Sequence, residues 1–259
     1  MGFFLTLAFL FAIGSMIGWV LEFFYRRLFM PEHKWVNSGF LMGPYLPLYG
    51  ISLIILFLLS QLEAYILIDN DALRKLLLFV AMAICITVVE CFTGLLFIVK
   101  LNIKLWDYTN NKFNIKGVIC PRYSFYWMIL SALYYFLINP RIENALFWLS
   151  QNLAFSFFIG AFFGVFAIDL VVSTRNLLKI HEFAISSDVI IRIDEFKADI
   201  VNYKEQRNEG LRFFLPLRSS QPLQLQLEEY IRNQKEKTSQ KINDSIERTK
   251  DKVEKIKNK

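Results

Sequence analysis

The chain is poor in the residues that build metal and redox sites. It has two histidines, His33 and His181, and three cysteines, Cys85, Cys91 and Cys120. Three cysteines cannot close a disulfide framework, and no Cys-x-x-Cys pair occurs. Two histidines do not supply a zinc site, so no metal and no cofactor is expected. The sequence also lacks a GxxxxGK[ST] phosphate loop, which rules out a P-loop ATPase in this sequence. No aromatic-interleaved basic patch of the nucleic-acid-binding kind is present, so no nucleic-acid partner is expected.

Charge is scarce where the chain is longest in apolar runs. Residues 1–173 carry 11 Lys+Arg and 9 Asp+Glu, while the remaining third carries 18 and 14. Apolar residues make up 55% of the 259 and aromatics 16%, with 26 Phe, which is too apolar for a water-soluble domain of this length. The division is that of a membrane part, residues 1–175, followed by a charged helical tail, 176–259.

Five apolar runs stand out: about Phe3–Tyr25, Phe40–Leu59, Leu76–Val99, Ser124–Ile138 and Leu153–Ser173. All but the fourth are long enough to cross ~30 Å of hydrocarbon as helices, and the fourth reaches that length if it starts near Cys120. The expected fold is therefore all-α, a polytopic bundle of about five transmembrane helices. No cation precedes the first run and Arg26–Arg27 follow it, so it reads as a retained anchor, not a cleaved signal. The MGFFLT start matches a myristoylation pattern by chance, because that site falls inside an apolar helix.

Lys and Arg alternate between loops. The first and third loops hold eight (Arg26, Arg27, Lys34, Lys100, Lys104, Lys112, Lys116 and Arg122), and the second and fourth hold three (Arg74, Lys75 and Arg141). The positive-inside rule then gives an external N-terminus and a cytoplasmic tail. Gly14 and Gly18 in the first run, and Gly160 and Gly164 in the fifth, have the four-residue spacing that lets helices approach closely, within one chain or between two.

Against this apolar background the polar residues are informative. Glu90 lies ten residues before Lys100, about 15 Å along a helix from the charged end. A carboxylate there is protonated, paired, or facing a wet cavity. Glu22 and Asp169 lie one turn from the ends of their runs. The segment Val36–Gly50, VNSGFLMGPYLPLYG, holds Gly39, Gly43, Pro44, Pro47 and Gly50, so a regular helix is not expected before about Gly50. Irregular backbone at membrane depth survives where protein or water covers it, and such broken segments line transporter sites. The loop Leu105–Tyr123 is too apolar to hang free and is expected to fold back on the bundle, with Asp107 and Arg122 as an ion pair.

These motifs, GWVLE at 18–22, VNSGFLMGPYLPLYG at 36–50, ECFTG at 90–94, WDYTN at 106–110 and NIKGVICPRYSFYW at 114–127, occur in one order. Over about residues 3–175 the chain resembles the bacterial membrane family of type IV ABC-transporter permeases, the CmpB-like family. The resemblance implies a bacterial plasma-membrane permease subunit, not itself an enzyme, working with a separate ATPase chain. It places likely site positions at Glu22, Asn37, Gly43, Pro44, Glu90, Asp107, Asn114 and Gly117. Arg122 joins them as the cation of the folded-back loop, and the whole set is read as the wall of a polar, cytoplasm-facing cavity.

In the tail, Val189, Ile193, Phe196, Ile200 and Tyr203 step as a two-heptad seam, and Ile242, Ile246, Val253 and Ile256 as a weaker one, so a partial coiled coil or a helical hairpin is expected. Basic charge beside a leaflet favours anionic lipid. A homo-oligomer through the small-residue faces or the tail is an open expectation. Two other classes fit the same residues less well. One is a non-transporting scaffold whose tail recruits partners. The other is an intramembrane lipid-processing enzyme, for which no nucleophile or ligand cluster is evident.

Overall fold

A chain in lipid must satisfy each backbone N–H inside its own segment, so long apolar runs become helices. The computed structural model describes residues 2–29, 37–206, 223–236 and 238–240, and four of its helices are long and apolar enough to cross a membrane. They are α1 (Phe3–Phe29), α2 (Pro47–Gln61, extended by a 3₁₀ turn to Tyr65), α3 (Asp71–Leu101) and, after a further helical rod, α6 (Ser156–Ser186). The rod consists of α4 (Pro121–Leu133), a π-helical turn (Tyr134–Ile138) and α5 (Asn139–Gln151). The architecture is an all-α bundle, and the strand content of the described residues is a pair of two-residue strands.

Local sequence sets the ends of these elements. Pro47 opens α2, where its missing N–H is not needed, so the helix begins three residues earlier than the Gly50 limit read from composition. Asn70 caps α3 by accepting from the Leu73 N–H at 3.1 Å, and Asn102 closes it in the left-handed region at φ 53°. The π turn has a cause in Pro140. With no N–H at 140 and a ring that crowds the preceding turn, the ladder reorganises, and the Asn139 N–H reaches back to the Tyr134 carbonyl.

The bundle core sits among α1, α2, α3 and α4, with Leu10, Leu56, Phe57, Leu78, Met82, Ile86 and Trp127 buried together. Gly14 and Gly18 do hold a close approach: a Cβ on Gly18 would overlap the Tyr49 ring, and one on Gly14 would come within 2.9 Å of Leu53. The Leu46 N–H also donates to the Ser15 carbonyl at 2.9 Å, tying the start of α2 to α1. Gly160 and Gly164 differ, since nothing described lies within 4 Å of where their Cβ atoms would stand. The close approach expected there is not made among the described residues, where α6 meets α1 through rings. Phe11 contacts Phe163 and Phe166 at 5.8 and 5.4 Å between centroids.

The fourth apolar run is the α4–π segment; it packs on α3 and meets α2 where Trp127 contacts Tyr49 and again at the π turn. At its start Tyr123 meets Tyr25 and Tyr108. At its finish Asn139 accepts from Ser60 at 3.0 Å and the Tyr135 hydroxyl donates to Glu63 at 2.6 Å. At the other end of the bundle, β1 (Ile103–Lys104) and β2 (Ile191–Arg192) pair in parallel, and His181 Nδ1 lies 2.8 Å from the Leu101 carbonyl.

Two compact units divide between Glu195 and Phe196. α6 continues past the composition break near Thr174, so the first twenty residues after that break belong to the unit that contains the bundle. The second unit contains most of α7 (Ile193–Gln206) and the helix 223–236, where Phe196 and Tyr230 meet edge to face at 5.5 Å. Val189, read as the first seam position, is not helical; it precedes β2, because the backbone at 191–192 is taken up by pairing with β1. The second seam, Ile242 to Ile256, lies outside the described residues.

Candidate functional site

Glu90 is the least exposed acid of the bundle, at 2%. It sits on α3 between the core residue Ile86 and Gly94, and its short side chain has no route to the helix ends. Oε1 accepts a hydrogen bond from the Tyr108 hydroxyl at 3.1 Å, and the Trp127 indole is within donating reach of the same carboxyl. Oε2 has no hydrogen-bond partner among the described residues.

Glu22, from α1, faces the same neighbourhood and is fully engaged. Arg26, one turn on, donates from Nε to Oε1 at 2.9 Å, and the Tyr49 hydroxyl donates to Oε2 at 3.1 Å. Arg26 also donates from Nη2 to Asp194 Oδ2 at 2.9 Å, so one guanidinium joins the first helix to the residues after β2. Tyr49 packs on Trp127 at 4.9 Å and lies within electrostatic reach of both Glu22 and Glu90. Tyr108 stacks on Tyr123 at 3.9 Å, and Tyr123 bonds to Tyr25 at 3.2 Å. The result is a row of acids and phenols drawn from α1, α2, α3, α4 and the loop after α3.

Asn37, Gly43 and Pro44 belong to a second group, built around Asp169 of α6. Asn37 is buried; its amide donates to the Leu41 and Met42 carbonyls at 3.3 and 2.8 Å, and its Oδ1 accepts from the Trp19 indole at 2.7 Å. The Asp169 carboxylate accepts from the Met42 N–H at 3.1 Å, the Gly43 N–H at 2.7 Å, the Tyr45 hydroxyl at 2.5 Å and Ser173 at 2.7 Å. The irregular backbone is thus covered by protein. A side chain on Gly43 would overlap the Tyr45 ring, which is why the segment needs glycine there.

The third group is the loop itself. The Asn114 amide donates to the Thr109 and Asn111 carbonyls at 3.0 and 2.8 Å, and its Oδ1 accepts from the Gly117 N–H at 3.0 Å. Gly117 has φ 70°, and the Tyr108 N–H donates to its carbonyl at 2.8 Å. Asp107 is held by Lys104 Nζ at 3.0 Å, Arg192 Nε at 2.8 Å and the Thr109 hydroxyl. Burial would raise its pKa, but the Thr109 and Lys104 hydrogen bonds and the Arg192 charge outweigh burial and hold it below the usual carboxylate range. The ion pair expected between Asp107 and Arg122 is not formed. Arg122 donates to the Tyr126 hydroxyl at 3.3 Å, one helical turn along α4, whereas β pairing carries Arg192 to Asp107.

The nine positions read from sequence lie in three neighbourhoods, around Glu22 and Glu90, around Asp169 and in the loop after α3, with Arg122 on Tyr126; the Tyr108 N–H to Gly117 carbonyl bond connects the first neighbourhood to the loop. Glu22 and Glu90 do come together. Their partners, Arg26 and Tyr49 on Glu22 and Tyr108 on Glu90, were not singled out. Arg26 was legible from its i,i+4 spacing to Glu22; the tyrosines carry no such mark. Asp169 was noted only as an acid near a helix end. Among the described residues, no group of three His, Cys, Asp or Glu side chains could hold a metal ion. Glu90 Oε2, which can accept a hydrogen bond or carry a proton, is one of several buried polar atoms without a hydrogen-bond partner among the described residues; Asp194 Oδ1 and the Ser15, Ser38, Ser52 and Ser131 hydroxyls are others.

A family model described as "Putative ABC-transporter type IV" matches residues 9–174, more than half of the chain and almost all of the bundle. No curated protein and no solved structure matches the sequence.

Proposed function

The chain belongs to the putative type IV ABC-transporter family, and from that premise we propose that it is the permease subunit of a bacterial plasma-membrane transporter whose ATPase is a separate chain. Residues 1–175 form the membrane part in this reading, with the α4–π segment as a fifth crossing, and 176–259 a charged tail on the cytoplasmic side. The loop counts of Lys and Arg support an external N-terminus. Cysteine labelling from outside that reaches probes at Asp69–Asp71 but not at Asn110 checks this orientation; the reverse pattern overturns it.

The observation that carries the reading is the free oxygen of Glu90 deep in the bundle. A buried polar atom without a partner costs about 1–3 kcal/mol, so a site that retains one is expected to fill it in use. In the working cycle Glu90 gives up or takes a proton, or accepts a hydrogen bond from the solute, while Glu22, Tyr49 and Tyr108 line the same polar strip. Arg26 links that strip to Asp194, which gives movement at the cytoplasmic end a path to the site.

Glu90→Gln keeps shape and hydrogen bonding and removes ionisation. It is expected to abolish complementation of growth or transport while thermal stability in membranes changes by less than about 1 kcal/mol. Full activity in Glu90→Gln would remove titration from the mechanism. Full activity with equal stability in Glu90→Leu would remove the carboxyl altogether.

A further inference from the structure

Residue Phe113 combines two unfavourable features. Its ring is 86% exposed, and its backbone has φ 57°, a conformation that bulky side chains rarely adopt. Ile115, two residues on, is 58% exposed. The segment is not slack chain, because Asn114 is clamped by three hydrogen bonds to Thr109, Asn111 and Gly117, and Ile115 bridges to Ile119. The fold holds two apolar side chains outward on a built turn.

The depth of this turn follows from its packing. Trp106 and Val118, the two stems of the loop, lie against Gly94, seven residues before the end of α3. Seven residues are about 10 Å of helix, so the loop lies beside the last two turns of α3 and does not hang beyond them. α3 has 31 residues, so it is about 46 Å long and overshoots a ~30 Å hydrocarbon core. Its apolar run ends at Val99 and Lys100 follows, so the loop beside residues 94–101 lies at the boundary between the hydrocarbon and the headgroups. Residues 108–123 contain Lys112, Lys116 and Arg122 and no acid, and both lysines are exposed. Apolar side chains between lysines at that boundary are the chemistry of a leaflet anchor.

We propose that the 110–116 turn is a leaflet anchor that seats Phe113 and Ile115 among the acyl-chain ends and pairs Lys112 and Lys116 with anionic phospholipid headgroups. This rests on the membrane placement given above, and goes beyond it in assigning a lipid-recognition surface. The anchor fixes the loop whose Tyr108 reaches Glu90, so lipid charge on that side bears on the site.

The test is photocrosslinking in native membranes with Phe113→p-benzoylphenylalanine, read by mass spectrometry. Adducts with phospholipid, enriched in anionic species, are expected. Charge reversal in K112E/K116E is expected to lower the anionic share of those adducts by about fivefold or more. Adducts mainly with a polypeptide overturn the proposal in favour of a protein-docking turn, and absence of any adduct overturns it in favour of a water-facing one. An unchanged lipid ratio in K112E/K116E overturns the headgroup pairing. A benzoylphenylalanine at Phe157 of α6, 74% exposed, separates the two failures. Lipid adducts at 157 without any at 113 leave the bundle in the membrane and remove the anchor, whereas none at either removes the membrane placement itself.

Discussion

Asp169 and Glu90 are both buried acids on apolar helices, and they are treated in opposite ways. The Asp169 carboxylate meets two backbone N–H groups and two hydroxyls, and together these hold an irregular segment closed. Glu90 receives the Tyr108 phenol, has the Trp127 indole beside it as a weaker donor, and keeps Oε2 without a geometric hydrogen bond among the described residues. A carboxylate that fills every position around it acts as a structural brace; one that keeps a position open can respond to something that enters. Depth and charge alone do not separate these roles. The count of donors does, and those donors come from elsewhere in the chain.

The largest effect that would break this contrast is expected at Asp169. Asp169→Leu removes the acceptor for the Met42 and Gly43 N–H groups and the Tyr45 hydroxyl, and is expected to cost roughly 3 kcal/mol or more, since each orphaned donor costs about 1–3. Thermal unfolding of the full chain in detergent should show it. Under the same conditions Glu90→Gln should move stability little while activity is lost, and equal stability losses in the two variants would erase the distinction.

Between these extremes stands Glu22, a carboxylate with both oxygens engaged, one of them by Arg26. A double-mutant cycle of Arg26→Gln with Asp194→Asn is expected to give a coupling of about 1–2 kcal/mol in stability, because the pair is mostly buried and shares its guanidinium with Glu22. Zero coupling would mean that the residues after β2 are not energetically joined to the strip.

The smallest effect is expected at Asp107, in the loop outside the spanning helices. Its folded-state pKa is depressed by Thr109, Lys104 and Arg192 against the effect of burial. A depressed carboxylate contributes stability that is full above its unfolded value, near 4, and is lost as pH falls through the lower folded value. Acidification from about pH 5 to pH 2 should therefore destabilise the parent more than Asp107→Asn. Parallel curves would show that Asp107 ionisation does not support the loop.

The fold was legible to the extent that local chemistry determines it. Apolar runs without interior charge form helices in lipid wherever they occur, and Asn70, Pro47 and Asn102 mark their limits. The Gly39–Gly50 segment was legible as irregular, because proline and glycine act on their own backbone. The two-residue strands were not. The stretch from Val189 to Ile193 reads as the start of a heptad seam until β1 is placed beside residues 191–192, and pairing is a contact between distant segments. For the same reason the Asp107–Arg122 pair failed: it was read from the two charges of one folded-back loop, but the parallel strands deliver Arg192.

The sequence by itself determined a membrane-type helix bundle, its family, the alternation of cations between its loops and the presence of Glu90 within an apolar run. The family follows from the motifs shared with it and the rest from composition and periodicity, none of which needs knowledge of neighbours. Tertiary structure alone decided that Tyr49 closes on Glu22, that Tyr108 reaches back to Glu90, and that Asp169, not solvent, covers the broken segment. Each depends on the rotation and depth of helices relative to one another, where a shift of a few ångströms makes or removes a hydrogen bond whose partners are far apart in the chain.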